Sequence, residues 1–358
     1  MDLLKSSKLG QVFDNTSASY KFYWLLGILD LLPSHPDGKI PLPLIQAQMV
    51  ARALPTVAYF RINLGKQDRL QDLVHELVNI KGVGPETNLA KAAVAALGLG
   101  SKLSMLGEMV PSRFLSAWSG PRPGIKGAKL TAAIEEHAIR SQSGDEPTPY
   151  CIFGEYIQVG EAWRAFLLEN RVAIEDYAKL RLVGFLESRN LHAQNISRKL
   201  EVPTVRDLTE ARKFWSRTLE LNRGSLKNIY LGRSLEEPFE VDHFIPYSFE
   251  ASDLLWNLIP TDKASNIRKS DKLPDLDRYL NDYAEAHRLG ITAHAKEHGA
   301  FGDHCTALEV APEQLIDMSA AELSRRLHTL FAPRIVYARN CGFVAAWGHL
   351  AESTIQPR

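Results

Sequence analysis

The chain has 358 residues, more than one small hydrophobic core can organise, so we expect two or three structural units. Apolar residues make up 45% and charged residues 23%, which excludes disordered and fibrous proteins. Lys plus Arg number 42 and Asp plus Glu also number 42, so the chain is not one that binds nucleic acid through overall positive charge. Nucleic-acid binding would have to come from local basic patches or from a partner.

The cysteines and the apolar segments bear on cellular location. Cys151, Cys305 and Cys341 lie far apart and form no CxxC pair, so neither a zinc ribbon nor a disulfide framework is expected. The first residues, MDLLKSSKLGQVFDN, lack the apolar core of a signal peptide. The most apolar segment, Tyr20 to Leu32, is interrupted by charges and shorter than the roughly 20 residues that span a bilayer. We therefore expect a cytoplasmic protein without membrane insertion.

Helical patterns dominate the first half of the chain. Thr16 or Ser17 can cap a helix through YKFYWLLGILDLL, which is apolar on nearly every side and should be buried, and Pro33 should end it. The polar segment SQSGDEPTP, residues 141–149, is the best candidate for a domain boundary. Further helices are predicted in LIQAQMVARAL, DRLQDLVHELV and TNLAKAAVAAL.

The second half changes character near residue 225. A β-type run, YCIFGEYIQV, precedes a long predicted helix that starts at GEAWRAF, and another helix follows in VRDLTEARKFWSRTLEL. LKNIYLG and PFEVDHF then read as two short strands separated by the turn-like RSLEE, and TDKASNIRKS reads as a short helix. Strand, turn, strand, loop and helix make a ββα unit. Ser319 to Glu322 is a capping box that opens a later helix.

These elements predict a mainly α fold with a small α+β module, of ββα type, embedded between helical regions. The predicted division is a helical N-terminal domain, a helical connecting region, the ββα module and a helical C-terminal region, at residues 1–148, 149–225, 226–275 and 276–358.

Three polar residues of the ββα unit suggest a reaction. Asp242 and His243 end its second strand, and Asn266 lies in its helix, 23 residues after His243. Carboxylate and amide oxygens are ligands for a hard cation such as Mg²⁺ or Mn²⁺. A histidine can take a proton from water near neutral pH. A cation, a general base and nearby Lys and Arg side chains together favour hydrolysis of phosphodiester bonds.

The same stretch resembles a known family. The frames D-H-x-x-P-x-S-F, W-N-L-x-P and N-x-x-K-S-D-x-x-P resemble the HNH, or ββα-metal, endonuclease motif. They are similar to the HNH domain of the RNA-guided CRISPR effector nucleases, which shares the Asn at position 266 where many HNH enzymes carry His. A looser resemblance links the chain to stand-alone bacterial HNH proteins found with phage-defence or restriction genes, and Zorya-type defence is one candidate.

The resemblance implies a role for each matching residue. Asp242 and Asn266 would bind Mg²⁺ or Mn²⁺, His243 would be the general base, and Asn257 would pin the loop and orient the imidazole. One such site cuts one strand, so the expected activity is nicking of double-stranded phage or foreign DNA, or double-strand cleavage by a dimer. Defence-system proteins would be the partners. The residues implied as phosphate contacts are Lys263, Arg268 and Lys269.

Two other functions stay open, namely a non-catalytic DNA-binding or adaptor protein that uses the same fold, and an RNA nuclease. A separate segment, IKGVGPETNLAKAA at residues 80–93, resembles the hairpin of helix-hairpin-helix DNA-binding modules. Its Gly82 and Gly84 could let backbone N–H groups approach a phosphate. A plain Gly-rich turn between two packed helices explains the same pattern and is the favoured interpretation.

Overall fold

The computed structural model describes residues 3–108, 110–345 and 347–348, with the backbone alone at residues 3–6. Its contacts group the chain into two compact units, Met1–Val202 and Pro203–Arg358. Both are largely helical, and the strands form three small sheets, which confirms the predicted mainly α fold with a small α+β module. The four-part division at residues 148, 225 and 275 stays a prediction.

The N-terminal unit is a helical body with one three-stranded antiparallel sheet in the order β1-β3-β2. Short 3-10 turns lie at Leu32–Ser34, Leu97–Leu103 and Ile196–Lys199, and a π-helical turn lies at Pro55–Tyr59. The helices and strands are α1 Leu3–Gln11, α2 Tyr20–Leu31, β1 Lys39–Pro41, α3 Leu42–Leu54, α4 Arg69–Val78, α5 Leu89–Ala96, α6 Ser104–Gly107, α7 Val110–Phe114, α8 Ser116–Ser119, α9 Gly127–Ser141, β2 Tyr150–Phe153, β3 Tyr156–Val159, α10 Glu161–Glu169 and α11 Arg171–Glu187.

Helix α2 forms the centre of this unit. All residues from 22 to 29 are buried, as its uniformly apolar sequence predicts. The helix begins after Ser19, slightly later than predicted, and the Ser19 N–H donates to the Asp68 carboxylate at 2.6 Å. It ends at Leu31, where Pro33 turns the chain into a 3-10 segment.

The single long helix predicted from GEAWRAF onward is instead two helices, α10 and α11. They meet at Asn170, whose backbone leaves the helical region at φ −106° and ψ 16°. Its side-chain amide donates to the carbonyl of Phe166 at 2.9 Å. Asn side chains compete with backbone hydrogen bonds in this way, which explains the break in an otherwise helical pattern.

One segment of the described chain, Leu89–Gly107, is long and apolar enough by length and composition to cross a membrane. It combines α5, a 3-10 turn and α6, and Gly100 within it has a left-handed φ of +57°. Only 22% of its most apolar window is buried. One such helix is weak evidence for a membrane span, because core helices of soluble proteins and signal sequences pass the same test.

The C-terminal unit surrounds two short antiparallel sheets, β4-β5 and β6-β7, with helices. Short 3-10 turns lie at Leu255–Asn257 and His298–Phe301. The helices and strands are α12 Thr209–Leu221, β4 Lys227–Asn228, β5 Arg233–Ser234, β6 Glu240–His243, α13 Tyr247–Glu250, β7 Leu258–Thr261, α14 Lys263–Lys269, α15 Leu276–Ala293, α16 Gly302–Leu308, α17 Pro312–Ile316 and α18 Ala320–Asn340.

The predicted strand pairing within the ββα unit is wrong in one respect. Strand β6 and helix α14 are confirmed, with Asp242 and His243 at the strand end. The partner of β6 is β7, which pairs Asp242 with Ile259 and His243 with Leu258. The expected partner, LKNIYLG, contributes only the two-residue strand β4 of a separate ladder. The ββα unit is therefore closed across the loop that follows His243.

An aromatic cluster holds the ββα unit against α15 and α18. The ring centroids of Phe244 and Tyr283 lie 4.2 Å apart, and those of Tyr283 and Phe331 lie 5.6 Å apart. The Tyr283 hydroxyl donates to the carbonyl of Trp256 at 2.6 Å. Phe244, Tyr283 and Phe331 are each fully buried, so the unit shares one core with the helices that follow it.

The contact between α12 and α15 generates a stability prediction. A Cβ at Gly290 would lie 2.6 Å from the ring of Phe214, and that ring also stacks on His294 with a centroid distance of 4.5 Å. Because the ring has little room to move, Gly290→Ala should lower the free energy of unfolding by about 1–3 kcal/mol.

Chemical denaturation measures this change. Gly302→Ala is the matched control, because Gly302 has helical dihedral angles and nothing within 4 Å of the added methyl group. It should leave stability unchanged or raise it by about 0.5–1 kcal/mol. Equal stability of Gly290→Ala and the wild type would contradict close packing at this crossing.

Candidate active site

Asp242 lies at the end of β6 and is bound by two side chains. The Tyr230 hydroxyl donates to its Oδ2 at 2.6 Å, and the Lys269 ammonium lies 3.2 Å from Oδ2 and 3.4 Å from Oδ1. The Lys269 ammonium also donates to the backbone carbonyl of His243 at 2.5 Å. Lys269 thus joins the end of α14 to the end of β6.

Burial shifts the pKa values of Lys269 and Tyr230, the two side chains that bind Asp242. Asp242 is 4% exposed and Lys269 is 0% exposed. Burial lowers the pKa of the Lys269 ammonium, and the Asp242 carboxylate opposes that shift. Burial raises the pKa of Tyr230 well above its ordinary value, and Asp242 adds to the rise, so the hydroxyl remains a hydrogen-bond donor. The carboxylate of Asp242 is therefore held by two buried donors, Tyr230 and Lys269.

The placement of Lys269 corrects the expectation that it contacts phosphate. Its ammonium is inside the protein and is already paired, so it cannot reach a nucleic-acid backbone at the surface. Lys263 and Arg268, on the same helix, are exposed and keep the predicted position for phosphate contacts. The helix therefore has one inward and two outward cations.

His243 forms a second group, with a partner that sequence reasoning did not identify. Its Nε2 lies 2.8 Å from Asp253 Oδ1. A carboxylate is an acceptor, so Nε2 carries a hydrogen, and in the neutral imidazole Nδ1 carries the lone pair. Nδ1 has no hydrogen-bond partner among the residues that the structure describes. The ring of Tyr247 packs edge-on against the imidazole at 5.4 Å. The arrangement is that of a histidine base whose tautomer is fixed by a carboxylate.

Asn266 lies on the same side of α14 as Lys269, one turn earlier. Its Nδ2 donates to Glu240 Oε2 at 2.7 Å. Glu240 and Asp242 are two residues apart in β6 and therefore share one face of the strand. Both Asn266 and Glu240 are partly exposed. This face of the strand carries two carboxylates, and the amide of Asn266 from α14 contacts the carboxylate of Glu240.

Asn257 clamps the loop between β6 and β7. Its Oδ1 accepts from the N–H of Ile245 at 2.8 Å, and its Nδ2 donates to the carbonyl of Ile245 at 2.8 Å. It is 0% exposed. The predicted pinning of the loop matches this geometry, whereas the imidazole of His243 is bound by Asp253 and has no bond to Asn257 in the described chain.

The donor set fits a hard divalent cation in its chemistry. Asp242 keeps unused lone pairs after accepting two bonds, and no described residue donates to Asn266 Oδ1. Among the described residues no group of three or more His, Cys, Asp or Glu side chains surrounds a common point. A cation here would have few protein ligands, as Mg²⁺ commonly does when water and substrate oxygens complete its shell.

In the hairpin-like segment of the N-terminal unit, one of the two N–H groups expected to approach a phosphate is already paired. The N–H of Gly84 donates to the hydroxyl of Thr87 at 2.8 Å, so that group is already used. Gly82 has a φ of +82°, as a turn requires. The segment forms a turn before α5, and a phosphate contact at Gly82 stays a prediction.

Three side chains of the site had no clear signal in the sequence. Asp253 lies ten residues after His243, Tyr230 lies twelve residues before Asp242, and Glu240 lies two residues before it. Only the position of Glu240 on the same strand face as Asp242 could have been predicted from the sequence, because the two are two residues apart in the strand. Asp253 reaches His243, and Tyr230 reaches Asp242, only when the chain is folded.

The fold and the site define a nuclease-type ββα unit. The comparison with protein families agrees, because residues 225–275 match the family model described as HNH endonuclease. This segment, 51 of the 358 residues, is an HNH endonuclease domain. No curated protein and no solved structure matches the chain.

Asn257 gives a prediction about the loop. Asn257→Ala leaves the buried N–H and carbonyl of Ile245 without partners, and each such group costs about 1–3 kcal/mol. We therefore expect a loss of about 2–6 kcal/mol in the free energy of unfolding. Asn340→Ala, at an exposed position in the same unit, is the control and should change stability little. Equal effects of the two substitutions in denaturant titrations would exclude the clamp.

Proposed function

We propose that the protein is a metal-dependent DNA endonuclease that hydrolyses phosphodiester bonds at the β6–α14 site. The observation that carries this proposal is the His243–Asp253 pair at 2.8 Å within the HNH domain. A histidine held in one tautomer by a carboxylate is the arrangement that general-base catalysis requires. The intact Asp242 and Asn266 beside it favour catalysis over simple DNA binding.

The chain's own residues would move one proton. Nδ1 of His243 would accept a proton from the attacking water, whose oxygen bonds to phosphorus while the bond from phosphorus to the leaving 3′ oxygen breaks. The leaving 3′ oxygen would take a proton from a solvent water, and the imidazolium of His243 would return its proton to solvent. The Asp253 carboxylate stabilises the positive charge that develops on the imidazole. The products are a 5′-phosphate and a 3′-hydroxyl end. Asn257 keeps the loop between His243 and Asp253 in place.

A divalent cation, Mg²⁺ or Mn²⁺, would be held by Asp242 and Asn266, with Glu240 as a neighbouring carboxylate. When bound, it would stabilise the negative charge that develops on the leaving oxygen. Lys269 and Tyr230 position Asp242 for this role through their hydrogen bonds to its carboxylate. The few protein ligands leave positions for water and for the scissile phosphate.

Exposed cations around the site would bind the DNA backbone. Lys263 and Arg268 project from α14. Arg206 lies over the ring of Tyr247 at 4.7 Å, and Tyr247 packs against His243, so this guanidinium is close to the proposed base. Arg binds phosphate oxygens through paired N–H donors. Binding through these few contacts should weaken steeply with salt.

The substrate is proposed to be double-stranded DNA of phage or other foreign origin. The resemblance to stand-alone bacterial HNH proteins supports a cytoplasmic role in phage defence or restriction, with defence-system proteins as partners. One HNH domain in the chain supports nicking, and a dimer would cut both strands.

Cleavage of supercoiled plasmid tests the proposed activity. With Mg²⁺ or Mn²⁺ the purified protein should convert plasmid to the nicked form, and EDTA should abolish the conversion. His243→Ala should lose about 10²–10⁴-fold in single-turnover rate, because general-base catalysis contributes that much. A matched RNA duplex separates DNA from RNA cleavage. A His243→Ala rate equal to wild type, in a folded protein, would remove this residue as the base.

The Asp253 partner gives a more specific prediction. Asp253→Asn keeps the shape of the side chain but lets its amide donate to Nε2, which moves the hydrogen to Nδ1 and removes the base. We expect kcat to fall by about 10–100-fold while KM stays within about twofold. Asp253→Glu, which keeps the acceptor, should recover part of the rate.

Asp277→Asn, an exposed change at the start of α15, is the matched control and should cleave at the wild-type rate. If Asp253→Asn raises KM and leaves kcat unchanged, Asp253 serves substrate binding and does not orient the histidine.

A further inference from the structure

A positively charged cleft lies in the N-terminal unit, within Met1–Val202. Its volume is about 560 Å³, and its lining includes the cations Lys8, Lys21, Arg113 and Arg122. Asp14 is the one carboxylate among the described lining residues, and it already binds Arg181 at 3.1 Å. Four cations against one carboxylate leave the lining with a formal charge of +3.

The positive charges that line this cleft have few carboxylate partners among the described residues. The Lys21 ammonium donates to the carbonyls of Val12 at 2.9 Å and Asn15 at 3.2 Å, and it has no carboxylate partner among the described residues. Burial lowers the pKa of Lys21, and the nearby positive charge of Arg113 lowers it further, while the Asp14 carboxylate opposes the shift. Like charges held together in a partly buried place destabilise a protein unless an anion joins them.

Arg122 provides a separate indication. Its Nε is buried and has no hydrogen-bond partner in the described chain. Arg113 likewise forms no ion pair with the described residues. An unpaired buried donor is unfavourable, and an acceptor oxygen from a ligand in the cleft would supply the missing partner. Two guanidinium groups and two ammonium groups around one cleft match the acceptor-rich surface of a phosphate group.

We propose that this cleft is a binding site for a phosphate-bearing ligand, held by Arg113 and Arg122 with Lys8 and Lys21 nearby. The volume lies within the range of about 300–1,000 Å³ that small-molecule sites occupy. A free nucleotide and a nucleic-acid backbone both present this chemistry. The site uses none of the residues of the HNH domain and does not depend on the nuclease function.

Isothermal titration calorimetry on the full chain tests the site without any cleavage. Pyrophosphate, ATP and a short single-stranded DNA would each be titrated in EDTA, with succinate as an anion that lacks phosphate. The double variant Arg113→Gln/Arg122→Gln should bind the phosphate compound that the wild type binds at least about tenfold more weakly, because it removes both guanidinium charges and their charge-assisted hydrogen bonds. Lys66→Gln, an exposed cation of the same unit outside the cleft, should bind as the wild type does.

The pattern of losses identifies the source of the phosphate. Loss of ATP and pyrophosphate binding with unchanged DNA affinity indicates a free nucleotide, whereas loss of DNA binding indicates a nucleic-acid backbone. Arg122→Lys, which keeps the charge but not the fork of donors, should fall between the wild type and the double variant, and thermal unfolding checks that each variant is folded. The site is disproved if no phosphate compound binds at millimolar concentration, if succinate binds equally well, or if the double variant matches Lys66→Gln.

Discussion

The buried ammonium of Lys269 is the constraint on which the site depends. A charge removed completely from water must find partners, and this one finds the Asp242 carboxylate and the carbonyl of His243. The end of α14 is thereby fixed to the end of β6. Asn266 lies three residues earlier on the helix and Glu240 lies two residues before Asp242 on the strand. Residues three apart on a helix share one face, and so do residues two apart on a strand. The contact between Lys269 and Asp242 therefore also places Asn266 beside Glu240.

The adjacent residues Asp242 and His243 have different hydrogen-bond partners. Asp242 is held by Lys269 and Tyr230, while the next residue, His243, turns its imidazole to Asp253. Successive residues of a strand point to opposite faces, so neighbours in sequence receive different environments. The same short strand can then carry both the proposed metal ligand and the proposed base without a direct bond between them.

The sequence predicts those parts of the fold that depend on local pattern. The buried helix α2, the end of β6 at Asp242 and His243, and the helix α14 all follow from periodicity and motif. The partner strand β7 does not, because LIPT is four residues long and contains Pro260, which argues against a strand. Its pairing depends on closure of the loop after His243, which no local pattern records.

The side chains of the candidate active site and of the cationic cleft likewise depend on tertiary structure that local sequence patterns do not predict. Lys269 reads as a surface cation from its neighbours Ser270 and Asp271, yet tertiary packing buries it. Asp253 reads as an ordinary loop residue until the loop returns it to His243. The cationic cleft draws on residues more than a hundred positions apart, so only the folded chain reveals it.

The shared aromatic core limits how far the HNH segment can be treated as a portable part. Residues 225–275 rest on Tyr283 and Phe331, which lie outside the matched segment, and the N–H of Leu255 donates to the Asp303 carboxylate at 2.9 Å. A fragment cut at the limits of sequence similarity would lose these supports and expose Phe244 and Trp256 to water. For grafting, truncation or fusion, the natural cassette is therefore residues 203–358, within which the supporting helices travel together with the nuclease motif.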